Sequence, residues 1–258
     1  MWEIEQVALL ESHGKNDTTQ RSNLTMCWRL KHGSCYLVSS ILFLVGSFQF
    51  FTWSSKNYSL AATVYIFGGF GFLFADVSEY LINKRYDDDY DQQVMKIHEK
   101  ENSCYGRWRK KENSMNYAFS AFGSLLYLIG CIMFWPSFHT SVLATHLFIW
   151  GSEVVCISQF WKLYRSGSSS PSDPLSTKFK IINLTFDKTA TLVDLFALLG
   201  GICYLIGCIY FLPKYDVSDE ITNFAATLFV FGSSCFTISG LILQYRYFFA
   251  NASLNSHH

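Results

Sequence analysis

The chain has 258 residues, 20 Lys and Arg against 20 Asp and Glu, and 50% hydrophobic residues with 24 Phe among them. With no net charge and no basic domain, nothing marks it as a nucleic-acid-binding protein. Its charges lie in blocks between long runs that are apolar on every face, which argues against a water-soluble helical bundle, where each helix needs a polar side.

Residues 1–32 are polar, carry charges of both signs and lack the apolar core of a signal peptide, so the first apolar run is expected to direct membrane insertion itself. Six runs follow, at 34–52, 60–82, 116–135, 142–163, 190–212 and 222–245. Each is close to the roughly 20 apolar residues that span a hydrocarbon core of about 30 Å. The predicted fold is all-α: a polytopic membrane protein of six transmembrane helices in three tandem hairpins, at 33–83, 116–165 and 190–246.

Between the first two hairpins lies a charged loop, 84–115. Asp87, Asp89 and Asp91 space like the start of a calcium loop, but Gln92 stands where the turn glycine belongs and His98 where the bidentate Glu belongs. Further on, Arg107, Arg109, Lys110 and Lys111 flank Trp108 just ahead of the third run. This basic cluster at the membrane surface suits anionic lipid. The linker 166–189 opens with a Ser, Gly and Pro composition typical of flexible segments, and 247–258 forms a short tail.

The short connections within hairpins hold only Lys56 and Lys214 of the 20 basic residues. The positive-inside rule then places both termini and both long loops in the cytoplasm. Among the Asn-x-Ser/Thr sequons, Asn57 alone falls on the outer side and is the candidate glycosylation acceptor.

The three hairpins align on a glycine. Ser39-Ser40-Ile-Leu-Phe-Leu-Val-Gly46-Ser47, Gly123-Ser124-Leu-Leu-Tyr-Leu-Ile-Gly130-Cys131 and Gly200-Gly201-Ile-Cys-Tyr-Leu-Ile-Gly207-Cys208 match along the first helices. The second helices match at Ile66-Phe67-Gly68-Gly69, Ile149-Trp150-Gly151-Ser152 and Val230-Phe231-Gly232-Ser233. Small residues seven apart share a helix face, and small faces let transmembrane backbones approach closely. Gly46, Gly68, Gly130, Gly151, Gly207 and Gly232 are therefore expected to close the hairpins. Leu147-Phe148-Ile149-Trp150-Gly151-Ser152 and Leu228-Phe229-Val230-Phe231-Gly232-Ser233 resemble the Leu-Phe-x-x-Gly-Ser signature of the YrhK-like domain family, whose unit is a two-helix hairpin. Hairpin 1 departs from it with Val64-Tyr65-Ile66-Phe67-Gly68-Gly69. The resemblance implies the hairpin fold and no activity or catalytic residue.

Five ionisable residues within the runs are candidates, Asp76, Glu79, His146, Glu153 and Asp194, while Lys162 lies at the cytoplasmic boundary of the fourth run. Intramembrane ionisable groups are functional candidates by default. Glu153 is nearest the centre of its helix and breaks the repeat, facing Phe70 and Ser234 in the alignment; His146 lies seven residues before it on the same face. The pair reads either as a proton or cation site or as neutral, hydrogen-bonded packing residues. Asp76, Glu79 and Asp194 lie near helix ends and read as interfacial charges, with an acid-lined cytoplasmic vestibule as the other reading.

No nucleophile motif, phosphate loop or metal-ligand spacing is present, so no enzymatic activity, cofactor or metal is expected. The expected function is a membrane scaffold, sensor or accessory subunit, with an ion or proton pathway through Glu153 and His146 as the alternative. An interior Glu153 would support conduction; a lipid-facing one would count against it. The expected partners are the bilayer, including anionic lipid, and a second copy or another membrane protein. A reporter that functions only in the cytoplasm should give signal when fused to the C-terminus and none when inserted after Lys214; the reverse pattern would invert the topology.

Overall fold

The computed structural model describes residues 17–54, 58–97, 104–168 and 178–250, with side chains over 26–54, 59–82, 114–168 and 178–249. Six helices carry the fold: α1 (Asp17–Ser47), α2 (Tyr58–Ile97), α3 (Cys104–Met133), α4 (Ser141–Ser168), α5 (Lys188–Tyr210) and α6 (Asp219–Tyr245). All six contain segments long and apolar enough to cross a membrane, and no strand occurs among the described residues. Short 3₁₀ turns close the first two hairpins and precede α5, and a π turn, Arg246–Ala250, extends α6.

Helix ends and apolar-run ends differ. Helix α1 begins well before its apolar run, α2 continues to Ile97, and α3 starts at Cys104, so much of the expected charged loop is helical. Hydropathy marks where a chain enters lipid, whereas Lys, Arg, Gln and Glu continue a helix readily in water. The Asp87–Asp91 stretch accordingly lies on the backbone of α2 rather than in a calcium-type loop. The basic cluster sits on the first turns of α3, but its side chains, like Asn57 as a whole, lie outside the described residues.

Each helix packs mainly against its two sequence neighbours, and α6 closes the ring against α1. The distribution of residue types is inverted relative to a soluble protein. Ser39, Ser40, Ser47, Ser152, Ser158, Ser233 and Ser239 are buried, while Phe67 is 65% exposed, Phe160 62% and Phe231 58%. An aqueous surface does not sustain a continuous apolar wall of that kind; a bilayer does. The buried hydroxyls are satisfied locally, Ser47 and Ser152 each donating at 2.7 Å to the carbonyl four residues earlier.

Hairpin closure rests on backbone-to-backbone approach. A Cβ added at Gly232 would stand 3.0 Å from the Gly200 carbonyl oxygen, and one at Gly200 would stand 3.0 Å from that of Gly232. The same reciprocal contact joins Gly151 to Gly123 at 3.2–3.3 Å, and Gly68 meets the Ser39 carbonyl at 3.2 Å. Gly46, Gly130 and Gly207 lie two turns away, each against a ring of its partner helix, Tyr65, Phe148 and Phe229. Lipid supplies no hydrophobic drive between helices, so this fit and the dispersion it brings hold each pair together.

The ring's centre is filled by aromatic side chains. Phe43, Tyr127 and Tyr204, each three residues before the aligned glycine, meet with centroids 6.0, 6.1 and 6.2 Å apart. Tyr204 donates or accepts at 2.6 Å with Ser233, and Ser47 lies 2.9 Å from the Tyr65 hydroxyl and 3.0 Å from Ser233. These hydroxyls satisfy one another where no water is at hand.

Gly232→Val should destabilise the protein by about 1–3 kcal/mol through overpacking against fixed backbone. Gly33→Ala should be near neutral, because its added methyl meets only the mobile end of Gln244. Thermal unfolding in detergent compares the two; equal losses would show that close backbone approach is not what holds the hairpins.

Candidate functional site

Away from the aromatic centre, toward the end of the bundle that holds the N-terminus of α1 and the C-terminus of α6, the helices leave room. A cavity of about 340 Å³ opens there between all six helices. Its position follows from side-chain size in the glycine register. Eight residues beyond Gly68, Gly151 and Gly232 stand Asp76, Gln159 and Gly240; eleven beyond stand Glu79, Lys162 and Leu243. Where the central levels carry three packed rings, these levels carry polar groups and a missing side chain.

The polar groups are organised. Lys162 Nζ lies 3.3 Å from Glu79 Oε2, with both side chains largely buried, and sits 5.2 Å above the Tyr117 ring. The pair reaches from α2 to α4 past the intervening α3. The Asp76 carboxylate accepts from Ser120 at 3.1 Å and from Ser124 on α3. Asp194, on α5, lines the cavity and makes no hydrogen bond to any described residue. Tyr36 donates to Ser239 at 3.4 Å, and the Tyr247 hydroxyl meets His32 Nδ1 at 3.0 Å, with Trp28 stacked on the His32 ring.

At the mouth, Asp187 caps α5 by accepting from the Ala190 amide at 2.9 Å, and it pairs with Arg246 at 2.7 Å. Partial burial alone would raise the Asp187 carboxyl; the Ala190 amide, the Arg246 charge and the Thr189 hydroxyl outweigh it and hold the group below its ordinary value. The preceding turn is pinned as well: Asn183 Nδ2 donates to the Gly167 carbonyl at 2.9 Å, tying the linker to the end of α4.

These placements revise the reading of the charges. Asp76, Glu79 and Asp194 are not separate interfacial residues; they share one cavity, and Lys162 lies inside the bundle rather than at its boundary. Glu153 is exposed on the outer wall of α4, and His146 is half-buried beside Trp150, 6.1 Å away. They share a face, as their spacing requires, but not an interior one. The inward stripe of α4 runs through Ala144, Phe148, Gly151, Ser152, Val155 and Gln159, and a residue one step past Ser152 is turned about 100° away from it. A pathway through Glu153 and His146 therefore has no support in the arrangement of the helices.

The signal for the cavity was present in the register. Continuing the glycine alignment to the helix ends puts opposite charges, Glu79 and Lys162, at matching positions of two helices. Among the described residues no group of three or more His, Cys, Asp and Glu side chains converges as a metal site would require.

Fold and cavity together define a polytopic helical membrane protein with a polar chamber inside one half of its bundle. The chain matches no protein-family model, no curated protein and no solved structure.

Lys162→Met should destabilise the protein by up to about 3–5 kcal/mol, because it removes the buried cation 3.3 Å from Glu79. Adding Glu79→Gln should recover much of that loss. Unfolding of the two single variants and the double variant forms a cycle; additive losses would show that the two side chains do not act as a pair.

Proposed function

We propose that the protein is a membrane-embedded binding protein of the sensor or accessory kind, and that its cavity takes a small organic amine. The observation that carries this reading is the charge arrangement inside the chamber. Glu79 is matched by Lys162, and Asp187 by Arg246. Asp76 has only hydroxyl donors, and Asp194 has no hydrogen bond. With Arg165 also on the wall, the four carboxylates Asp76, Glu79, Asp187 and Asp194 face the three cations Lys162, Arg165 and Arg246 around a cavity of about 340 Å³, and an ammonium group would supply the missing positive charge and donors for Asp76 and Asp194. The surrounding Tyr36 and Tyr247 add aromatic rings suited to a cation. The volume suits an organic solute better than a bare alkali ion.

In this reading the protein is not an enzyme, and its YrhK-like hairpins serve as architecture. The cavity faces the cytoplasm, by the charge asymmetry of the loops. The bilayer is the first partner, with anionic lipid at Arg107, Arg109, Lys110 and Lys111. A second copy or another membrane protein is the expected partner of the outer wall that carries Glu153, since a carboxylate facing lipid is costly.

The test is ligand-induced stabilisation in detergent. With 1,4-diaminobutane at 100 times its Kd, unfolding should be shifted by about 2.7 kcal/mol. 1,4-Butanediol should have no effect, and Asp194→Asn should abolish the shift. Equal stabilisation by the diol, or a full shift in Asp194→Asn, would defeat the assignment.

A further inference from the structure

Among the described residues, the amine cavity is in series with three further spaces. At the opposite end lies a second cavity of about 380 Å³, lined by Trp135, His139, Thr140 and Asp216 and floored by Phe50, Phe134 and Phe211. Between the two lie small voids of about 40 Å³ and 30 Å³, each with room for one or two water molecules.

Successive spaces share walls. Tyr36, Asp76 and Gln159 line both the inner cavity and the 40 Å³ void. Phe50, Phe134 and Phe211 line both the 30 Å³ void and the outer cavity. Phe43 and Tyr127 border the inner void and Tyr204 the outer one, so a single layer of rings divides them. Two barriers result. One is the Phe43–Tyr127–Tyr204 triad; the other is Phe50–Phe134–Phe211, with centroids 5.4, 6.2 and 6.3 Å apart. Phe43 and Phe50 are seven residues apart, which is about 10 Å of helix.

Both barriers are made of side chains. The space between them is not purely apolar: Tyr65 and Tyr204 line it, and their hydroxyls meet each other at 3.3 Å and bond to Ser47 and Ser233 in the surrounding wall at 2.6–3.2 Å. Hydroxyl oxygens and ring faces are both groups that a dehydrated ammonium accepts. A purely structural core would have no reason to end in a chamber at each end.

We propose that the centre of the ring is a translocation route for the amine, closed in this conformation by two aromatic triads that act as gates. The route rests on the binding reading above. The solute enters from the inner cavity, passes the first triad by ring rotation, is held by the Tyr65 and Tyr204 hydroxyls, and leaves through the second triad into the outer cavity. No covalent step is involved, and net movement follows the solute's gradient.

The experiment is uptake of radiolabelled 1,4-diaminobutane into liposomes reconstituted with the full chain, alongside its stabilising effect in detergent. Wild-type uptake should exceed that of empty liposomes at least threefold. Phe134→Ala, which removes one ring of the outer gate, should raise it several-fold further, with chloride leakage unchanged. Phe211→Leu provides the same test should Phe134→Ala fail to fold, as judged by gel filtration. Asp194→Asn should lose both uptake and stabilisation. Stabilisation by the diamine with uptake at the empty-liposome level in wild type and both gate variants would overturn the route and leave a blind binding chamber. Absence of both would overturn the binding reading along with it. Chloride leakage rising in step with diamine uptake would show a damaged bundle rather than a gate and would equally overturn the proposal.

Discussion

The bundle depends on one constraint: in lipid, helices stay together only where their surfaces let backbones come close. Gly200 against Gly232 and Gly123 against Gly151 set that distance in two hairpins, and Ser39 against Gly68 sets it in the third. The rest follows from it. Tight hairpins put their small faces into their own interfaces and leave large side chains for two other places, the lipid wall and the centre of the ring. Phe67 and Phe231 fill the first; Phe43, Tyr127 and Tyr204 fill the second. Where the interior positions carry Ala190 and Ala197 instead of rings, no side chain fills the centre, and a chamber remains.

The chamber's chemistry is tied to the same geometry. A membrane interior penalises an isolated charge, so charges persist there when they meet partners or water. Glu79 and Lys162 meet each other, Asp76 meets two serines, and Asp194 meets the open space of the cavity. Aromatic layers beyond them keep the polar end separate from the opposite one. The polar chamber and the aromatic layers are thus two results of one distribution of side chains along the helices.

Much of the architecture was legible in the sequence because hydropathy and small-residue spacing are local signals. Six apolar runs foretold six helices, although the ends of α1, α2 and α3 escaped because helical order continues beyond lipid. The site was harder to see. Depth in the membrane singled out Glu153, but depth says nothing about rotation around the helix axis. The rotational information lay in Gly151-Ser152: the residue after the packing pair is turned away from it. Conversely, Asp76, Glu79 and Asp194 looked peripheral along the axis while pointing inward around it. Their convergence joins α2 and α5, two helices distant in sequence, which no single run of residues encodes.

The bridge between Glu79 and Lys162 also bears on how the chain enters the membrane. A lysine makes insertion of its helix less favourable when the span is presented alone, by about 2.5–3.5 kcal/mol at the centre and by less toward the end, where Lys162 stands. Here the acidic partner belongs to the preceding hairpin, so it has already left the ribosome when α4 emerges. The first hairpin can therefore act as a waiting counter-charge for the second, and the order of synthesis matches the order in which the charges need each other. Moving the lysine to hairpin 1 and the glutamate to hairpin 2 would preserve the folded bridge and reverse that sequence of events, so the same final structure would be reached by a less favourable insertion path.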